Sequence, residues 1–172
     1  MSRKRHTLQV TLLIIYTIII IYFMFFGFGR PQINNTVQEY RFSIIPTRIP
    51  LWYPKNFSLL WFFSLCNLLA FVPFGILIPM ILNTRYLKSI FVFLISITAL
   101  EILQMITYLG SFDTEDIIIN SIGTSIGYFS YKISDKFKLV SQKIISTSFF
   151  ILILSFGMII FAEIFNKFVS GT

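Results

Sequence analysis

The residues best suited to chemistry are an acid and an amide inside an apolar run. Glu101 and Gln104 lie three residues apart, so on a helix they share one face and point the same way. A buried acid in a membrane helix costs about 2.5–3.5 kcal/mol on insertion scales unless it is protonated or paired. Polarity at that cost indicates a binding site or acid–base work.

An acidic turn follows this pair, and after it comes a helix with polar residues and glycines along one side. Asp113 is well placed to cap a helix at its N-terminus, with Asp116 at the third helical position. One interpretation is that these acids only cap the helix and complement its dipole. The other is a functional surface, because positions i, i+4, i+7 and i+11 form one stripe. Its members are Asp116, Asn120, Gly123 and Gly127, and the two glycines form a seam that lets another helix approach closely.

An amide and two prolines mark an earlier apolar run. Asn67 is its lone amide, and Pro73 and Pro79 each remove one backbone hydrogen bond. With Gly75 between the prolines, we expect a kinked or broken helix. Such a break either serves packing alone or frees carbonyl groups that line a cavity together with Asn67.

Several other chemistries are excluded by the residue types. His6 is the only histidine and stands in the basic N-terminal tail, and Cys66 is the only cysteine and lies inside an apolar run. Ser-His and Cys-His catalysis are therefore excluded, and we expect no cofactor and no resident metal. The remaining acids and amides can bind an amine or cation, accept hydrogen bonds, or hold a divalent ion against phosphate. The candidate binding residues are Asn67, Glu101, Gln104, Asp113, Asp116 and Asn120.

The composition indicates that transmembrane helices position these residues. The 172 residues are 56% hydrophobic and 12% charged, with a mean hydropathy of +0.81, whereas a soluble domain carries about 25% charged residues. Apolar runs separated by charges predict an all-α, polytopic integral membrane bundle of about five transmembrane helices, in one domain covering residues 1–172. The predicted spans cover about residues 8–28, 58–82, 89–109, 113–131 and 144–165, with an outer loop at 29–57.

The distribution of Lys and Arg predicts the orientation in the cell membrane. With the N-terminus in the cytoplasm, nine basic residues fall inside and five fall outside. The acidic turn and the C-terminus are then outside. Because the basic residues flank apolar runs and form no face of their own, the net charge of +7 does not indicate a nucleic-acid partner.

The outer loop combines prolines with aromatic and basic side chains. Pro46 is one of its four prolines, which exclude a long helix. The mixture suits a segment that lies in the headgroup region. It is either a tethered surface loop or a basic lip that contacts anionic head groups.

Three blocks of this sequence resemble the VanZ-like family. Residues 41–46 are similar to its Asn-Leu-(Ile/Val)-Pro-Phe stretch, with Ser43 where Asn is usual. The second block has the family's Asn, Pro-Phe-Gly and Pro pattern, at Asn67, Pro73, Phe74, Gly75 and Pro79. The third resembles its Glu-x-x-Gln … Asp-Asp-x-x-x-Asn-x-x-Gly signature, at Glu101, Gln104, Asp113, Glu115, Asp116, Asn120 and Gly123. Gly110 stands where family members often carry Arg.

The resemblance implies a bacterial membrane protein that lowers sensitivity to the lipoglycopeptide teicoplanin. Its partners would be membrane lipids and either a lipid-linked cell-wall precursor or the lipoglycopeptide itself. Two alternatives stay open from the residues alone. One is a membrane enzyme that acts on a polyprenyl-phosphate or a lipid head group, with acids holding a divalent cation. The other is a membrane scaffold that needs only the glycine seam.

Overall fold

A computed structural model describes residues 3–27, 40–51 and 59–170 of the chain. Its helices are α1 (Arg3–Phe26), α2 (Leu59–Leu82), α3 (Tyr86–Ile106), α4 (Thr114–Ser134) and α5 (Val140–Ser170). Two short strands, β1 (Phe42–Ser43) and β2 (Phe112–Asp113), lie between them. Parts of the first two predicted spans and of the outer loop lie outside the described residues, namely residues 28–39 and 52–58. The prediction of an all-α membrane bundle is confirmed.

Four of these helices are long and apolar enough to cross a membrane, namely α1, α2, α3 and α5. The fifth, α4, is more polar, but its 21 residues are enough to cross with them. It buries much of its length, including several hydroxyl and amide side chains. The bundle therefore surrounds one polar helix with apolar ones, so that α4 presents its polar groups to protein and not to lipid.

The helix ends extend beyond several predicted spans. α5 has 31 residues where 22 were predicted, at 144–165, and α1 begins at Arg3 where residue 8 was predicted. Hydropathy marks only the part of a helix that suits hydrocarbon, while backbone hydrogen bonding continues into the flanking polar residues. The prediction that Asp113 caps α4 is confirmed, and the helix begins one residue later, at Thr114.

Helices α2 and α4 run parallel and approach at backbone distance. Three glycines make this possible, because a Cβ atom added to any of them would lie 1.9–2.0 Å from a carbonyl oxygen of the other helix. Gly75 faces the carbonyl of Thr124, Gly123 that of Leu68, and Gly127 that of Val72. The close approach expected of the glycine seam is present, and α2 is the helix it admits.

Of the two forms expected of α2, kinked or broken, the broken one is wrong, and the kink stays a prediction. The helix continues from Leu59 to Leu82 through both Pro73 and Pro79. Proline takes away one hydrogen bond but keeps a φ compatible with a helix, and side chains of neighbouring helices can serve the affected carbonyl groups. Beside Pro73, the Thr124 hydroxyl of α4 donates to the Phe71 carbonyl oxygen at 3.2 Å and ties α2 to α4. The carbonyl that Pro73 itself leaves without a helical donor is that of Leu69.

Part of the outer loop is docked onto the bundle. β1 and β2 pair in parallel, with Phe42 opposite Phe112 and Ser43 opposite Asp113. Leu51 is fully buried, in the apolar cluster that joins α2, α4 and α5. Residues 40–51 are therefore held on the bundle by hydrogen bonds and by the buried Leu51, while residues 40–48 stay exposed. They cover the end of the bundle where α4 begins and α5 ends.

Candidate functional site

A cavity of about 320 Å³, which we call the polar cavity, lies among α1, α2, α3 and α4. Five of the six predicted binding residues line it: Asn67 from α2, Glu101 and Gln104 from α3, and Asp116 and Asn120 from α4. The structure thus brings together side chains from three helices that the sequence separates by up to 53 positions. Asn67 is exposed, so the cavity reaches the surface beside it.

Glu101 is buried at the wall of this cavity, with 2% of its surface exposed. Its Oε2 atom accepts a hydrogen bond from the backbone N–H of Asp113 at 3.4 Å. Helices α3 and α4 are antiparallel neighbours joined by a short turn, which sets the acid beside the start of α4. The contact holds the carboxylate next to the N-terminus of a helix, where the dipole favours negative charge.

Gln104 lies one turn further along α3 and is equally buried. Its Nε2 atom donates a hydrogen bond of 2.7 Å to the carbonyl oxygen of Met24. Met24 belongs to the last turn of α1, where carbonyl groups lack partners within the helix. Gln104 therefore fixes the end of α1 against α3 and closes one wall of the cavity.

Asn120 carries the least satisfied polar atom of the site. Its side chain is only 3% exposed, and its Oδ1 atom is buried with no hydrogen-bond donor among the described residues. A buried acceptor without a donor costs about 1–3 kcal/mol. Asn120 lines the polar cavity, so a ligand that brings an N–H or O–H group there would remove this cost once the amide turns toward it.

The acids of the turn divide between two roles. Asp113 does not line the polar cavity. Its side chain accepts from the backbone N–H of Glu115 at 2.8 Å, as an N-cap does. Asp116, in the first turn of α4, lines the cavity. The capping interpretation thus holds for Asp113, and the cavity interpretation describes the position of Asp116.

Glu115 anchors the docked part of the outer loop. Its Oε1 atom accepts from the backbone N–H and the hydroxyl of Thr47, at 3.0 and 2.8 Å, and from the backbone N–H of Arg48 at 3.3 Å. The Arg48 guanidinium lies 3.9 Å from the other carboxylate oxygen. On α5, Asn166 accepts from the Ile49 N–H at 2.9 Å and donates to the carbonyl groups of Ile49 and Leu51.

An aromatic pair fastens the other end of the docked segment. The rings of Tyr40 and Tyr108 stack with their centroids 5.0 Å apart. A hydrogen bond with Tyr40 raises the pKa of Tyr108 above its usual value. Tyr108 has a φ of 58°, a strained backbone conformation for a bulky residue that ends α3 sharply before Gly110.

Helix α1 forms the wall that sequence analysis did not assign to the site. It contributes Tyr16, Ile19, Ile20, Phe23 and Met24. Among these, the Tyr16 hydroxyl donates to the Ala70 carbonyl oxygen of α2 at 2.7 Å. Tyr16 inside an Ile-rich run is the only sequence signal that could have indicated this wall.

Two residues of the resemblance, Phe74 and Pro46, do not line the polar cavity. Phe74 packs its ring against Tyr16, Phe71 and Phe93 at centroid distances of 5.4–6.0 Å. Pro46 immediately precedes the two residues that Glu115 holds. Their positions indicate that the motif shapes the cavity and its cover as well as supplying its polar groups.

The cavity wall combines acidic and hydrogen-bonding side chains. Its charged side chains among the described residues are the acids Glu101 and Asp116, and amides of Asn67, Gln104 and Asn120 accompany them. Such a set suits an amine, a cation or a group rich in N–H and O–H donors. Within the described ranges, no group of three or more Asp, Glu, His or Cys side chains could hold a metal ion.

The sequence model of the VanZ/LLP1 family matches residues 13–135. This chain belongs to the VanZ/LLP1 family. The matched region includes α2, α3, α4 and the part of α1 that lines the polar cavity, while α5 lies beyond it. The resemblance noted in three sequence blocks is therefore confirmed over a longer stretch, which also covers the α1 wall. No curated protein and no solved structure matches the chain.

Proposed function

We propose that this VanZ/LLP1 membrane protein binds a cationic or donor-rich group in its polar cavity, and that this binding lowers the sensitivity of a bacterium to lipoglycopeptides such as teicoplanin. The ligand is either the drug itself or a lipid-linked cell-wall precursor. The site binds it from the outer half of the membrane.

One observation carries this proposal. The Oδ1 atom of Asn120 is buried without a donor in a wall whose charged residues, Glu101 and Asp116, are both acids. An unpaired amide oxygen beside two acids suits a ligand that donates hydrogen bonds or carries positive charge. A phosphate or carboxylate would meet like charge instead.

The position of the cavity supports action at the outer leaflet. It lies near the end of the bundle that carries the docked segment 40–51, the turn before α4 and the end of α5. The bias of Lys and Arg assigns that end to the outside. There the cavity is within reach of external drugs and of wall precursors carried on lipid.

Two alternatives receive less support from the geometry. An enzyme on polyprenyl-phosphate would need acids that hold a divalent cation, and among the described residues no group of three or more Asp, Glu, His or Cys side chains could do so. A scaffold would offer the glycine seam to another protein, and the seam is filled by α2 of the same chain.

Expression in a susceptible bacterium tests the proposal. The wild-type chain should raise the inhibitory concentration of teicoplanin more than that of vancomycin, which lacks the lipid tail. Glu101→Gln should return sensitivity to the level of the empty vector with similar protein in the membrane, because an amide is cheaper to bury than an acid. Glu163→Gln is the matched control, since this acid lies on α5 and pairs with Lys167 at 3.2 Å. Full protection by Glu101→Gln would contradict the proposal.

A further inference from the structure

We infer that the ligand is an amphiphile whose aliphatic chain enters a second cavity, deeper in the bundle, while its head group occupies the polar cavity. This inference rests on the proposed function and names the class of molecule. The second cavity, which we call the apolar slot, has a volume of about 170 Å³ and lies among α1, α2 and α3.

The two cavities are adjacent. Both are lined by Ile20 of α1 and Phe71 of α2. Along α2 the lining moves from Asn67 in the polar cavity to Ile78 in the slot, which is about 16 Å at 1.5 Å per residue. Along α1 and α3, which run the other way, it moves toward lower residue numbers, so all three helices place the slot deeper in the membrane.

The wall of the slot suits a hydrocarbon chain. Its larger side chains are apolar and include Leu13, Phe74, Phe93 and Ile97. Two hydroxyl groups also line it, and both donate to carbonyl oxygens of their own helices. Thr17 donates to Leu13 at 2.7 Å, and Ser96 donates to Val92 at 2.9 Å. The hydroxyl groups of the slot are therefore already hydrogen-bonded, so its occupant needs no hydrogen-bonding group, in contrast to a ligand of the polar cavity.

The slot is also reachable from the lipid. Ser96 is exposed although it lines the slot, so the slot opens at the surface of α3. A chain already dissolved in the bilayer could enter sideways while its head group stays near the outer end. A membrane lipid with an amine-bearing head group and a lipid-tailed glycopeptide share this chemistry.

Photolabelling of the purified full-length chain in detergent tests the inference. The probe is hexadecylamine with a diazirine at mid-chain, and peptide mass spectrometry locates the adducts. We expect adducts on residues 92–100 of α3 and 71–78 of α2, and far fewer from the hexadecyl sulfate analogue. Ser96→Phe should fill the slot and remove most of these adducts. Ala99→Phe is the control, because Ala99 is exposed on the same helix and does not line the slot.

Competition experiments identify which kind of molecule supplies the aliphatic chain in the apolar slot. Teicoplanin displacing the probe where vancomycin does not would support the inference with a drug tail as occupant, and displacement by extracted bacterial lipid would support it with a lipid chain.

A separate measurement distinguishes failure of this inference from failure of the proposed function. Butylamine, which has a head group but a chain too short for the slot, should slow the alkylation of Cys66 in the polar cavity. If butylamine protects Cys66 while hexadecylamine labels only lipid-facing residues, the chain site is wrong and head-group binding stands. If neither amine has any effect, both are wrong.

Discussion

The side-chain amide of Gln104 donates a 2.7 Å hydrogen bond to the main-chain carbonyl oxygen of Met24. This bond joins the motif-bearing helix α3 to the end of α1, whose other contacts with the bundle are largely apolar. It has two consequences. It satisfies a buried amide, and it fixes the helix that forms the fourth wall of the polar cavity.

Removing the donor should loosen this wall. Gln104→Met keeps the length of the side chain but leaves the Met24 carbonyl oxygen without this donor, at a cost of about 1–3 kcal/mol. We expect α1 to move more freely and the alkylation of Cys66 by maleimide to become several-fold faster. Leu103→Met, at an exposed position on the same helix, should change nothing. Equal alkylation rates in the two variants would show that the bond does not hold α1.

The glycine seam should tolerate no added methyl group. Gly75→Ala or Gly127→Ala would place a Cβ about 2 Å from a carbonyl oxygen of the facing helix, so α2 and α4 must separate. We expect each to lower stability in detergent by about 1–3 kcal/mol, as overpacking does. Gly157→Ala is the control, since nothing lies within 4 Å of its Cβ position. Thermal unfolding of the three variants checks this, and unchanged stability of Gly127→Ala would refute the packing described.

The docked segment, residues 40–51, should be held at two points that open independently, one at Glu115 and one at Asn166. Glu115→Ala removes the acceptor of the Thr47 and Arg48 amides, and Asn166→Ala removes that of Ile49. Amide hydrogen exchange should therefore accelerate at Thr47 and Arg48 in the first variant and at Ile49 in the second. Acceleration of all three amides in both variants would mean that the segment undocks as one unit.

The orientation can be tested with engineered cysteines in a Cys66→Ser background. Ser111 and Lys138 are exposed at opposite ends of the bundle. A membrane-impermeant maleimide applied to intact cells should label Ser111→Cys and leave Lys138→Cys unlabelled until the cells are opened. The reverse pattern would place the polar cavity on the cytoplasmic side and contradict action at the outer leaflet.

Sequence alone predicted the grouping in the polar cavity because that grouping rests on local spacing. Glu101 and Gln104 share a helix face, Asp116 and Asn120 share another, and a short turn forces their helices to be neighbours. The α1 wall was missed because its link to α3 is a main-chain carbonyl, which any residue at position 24 would offer. The docked segment was missed because its strand pairing and its bonds to Glu115 join residues about 70 positions apart, which no local periodicity records.

Sequence alone did not decide between a kinked and a broken α2, for a related reason. A proline inside a helix shows which backbone hydrogen bond is lost, but not which side chains of other helices lie beside the affected carbonyl groups. Only the fold places the Thr124 hydroxyl of α4 against the α2 backbone close to Pro73.

The charge preference of the polar cavity is the central claim, and Cys66 reports it directly. This thiol is the only cysteine of the chain and lines the cavity. Its rate of modification should be compared for 2-aminoethyl methanethiosulfonate, a cation, and 2-sulfonatoethyl methanethiosulfonate, an anion of similar size. We predict a cation preference about tenfold greater in the wild-type chain than in the Glu101→Gln, Asp116→Asn double variant, equivalent to ~1.4 kcal/mol of electrostatic attraction. The same ratio of rates in both proteins, or faster reaction of the anion with the wild-type chain, would contradict an anionic binding site.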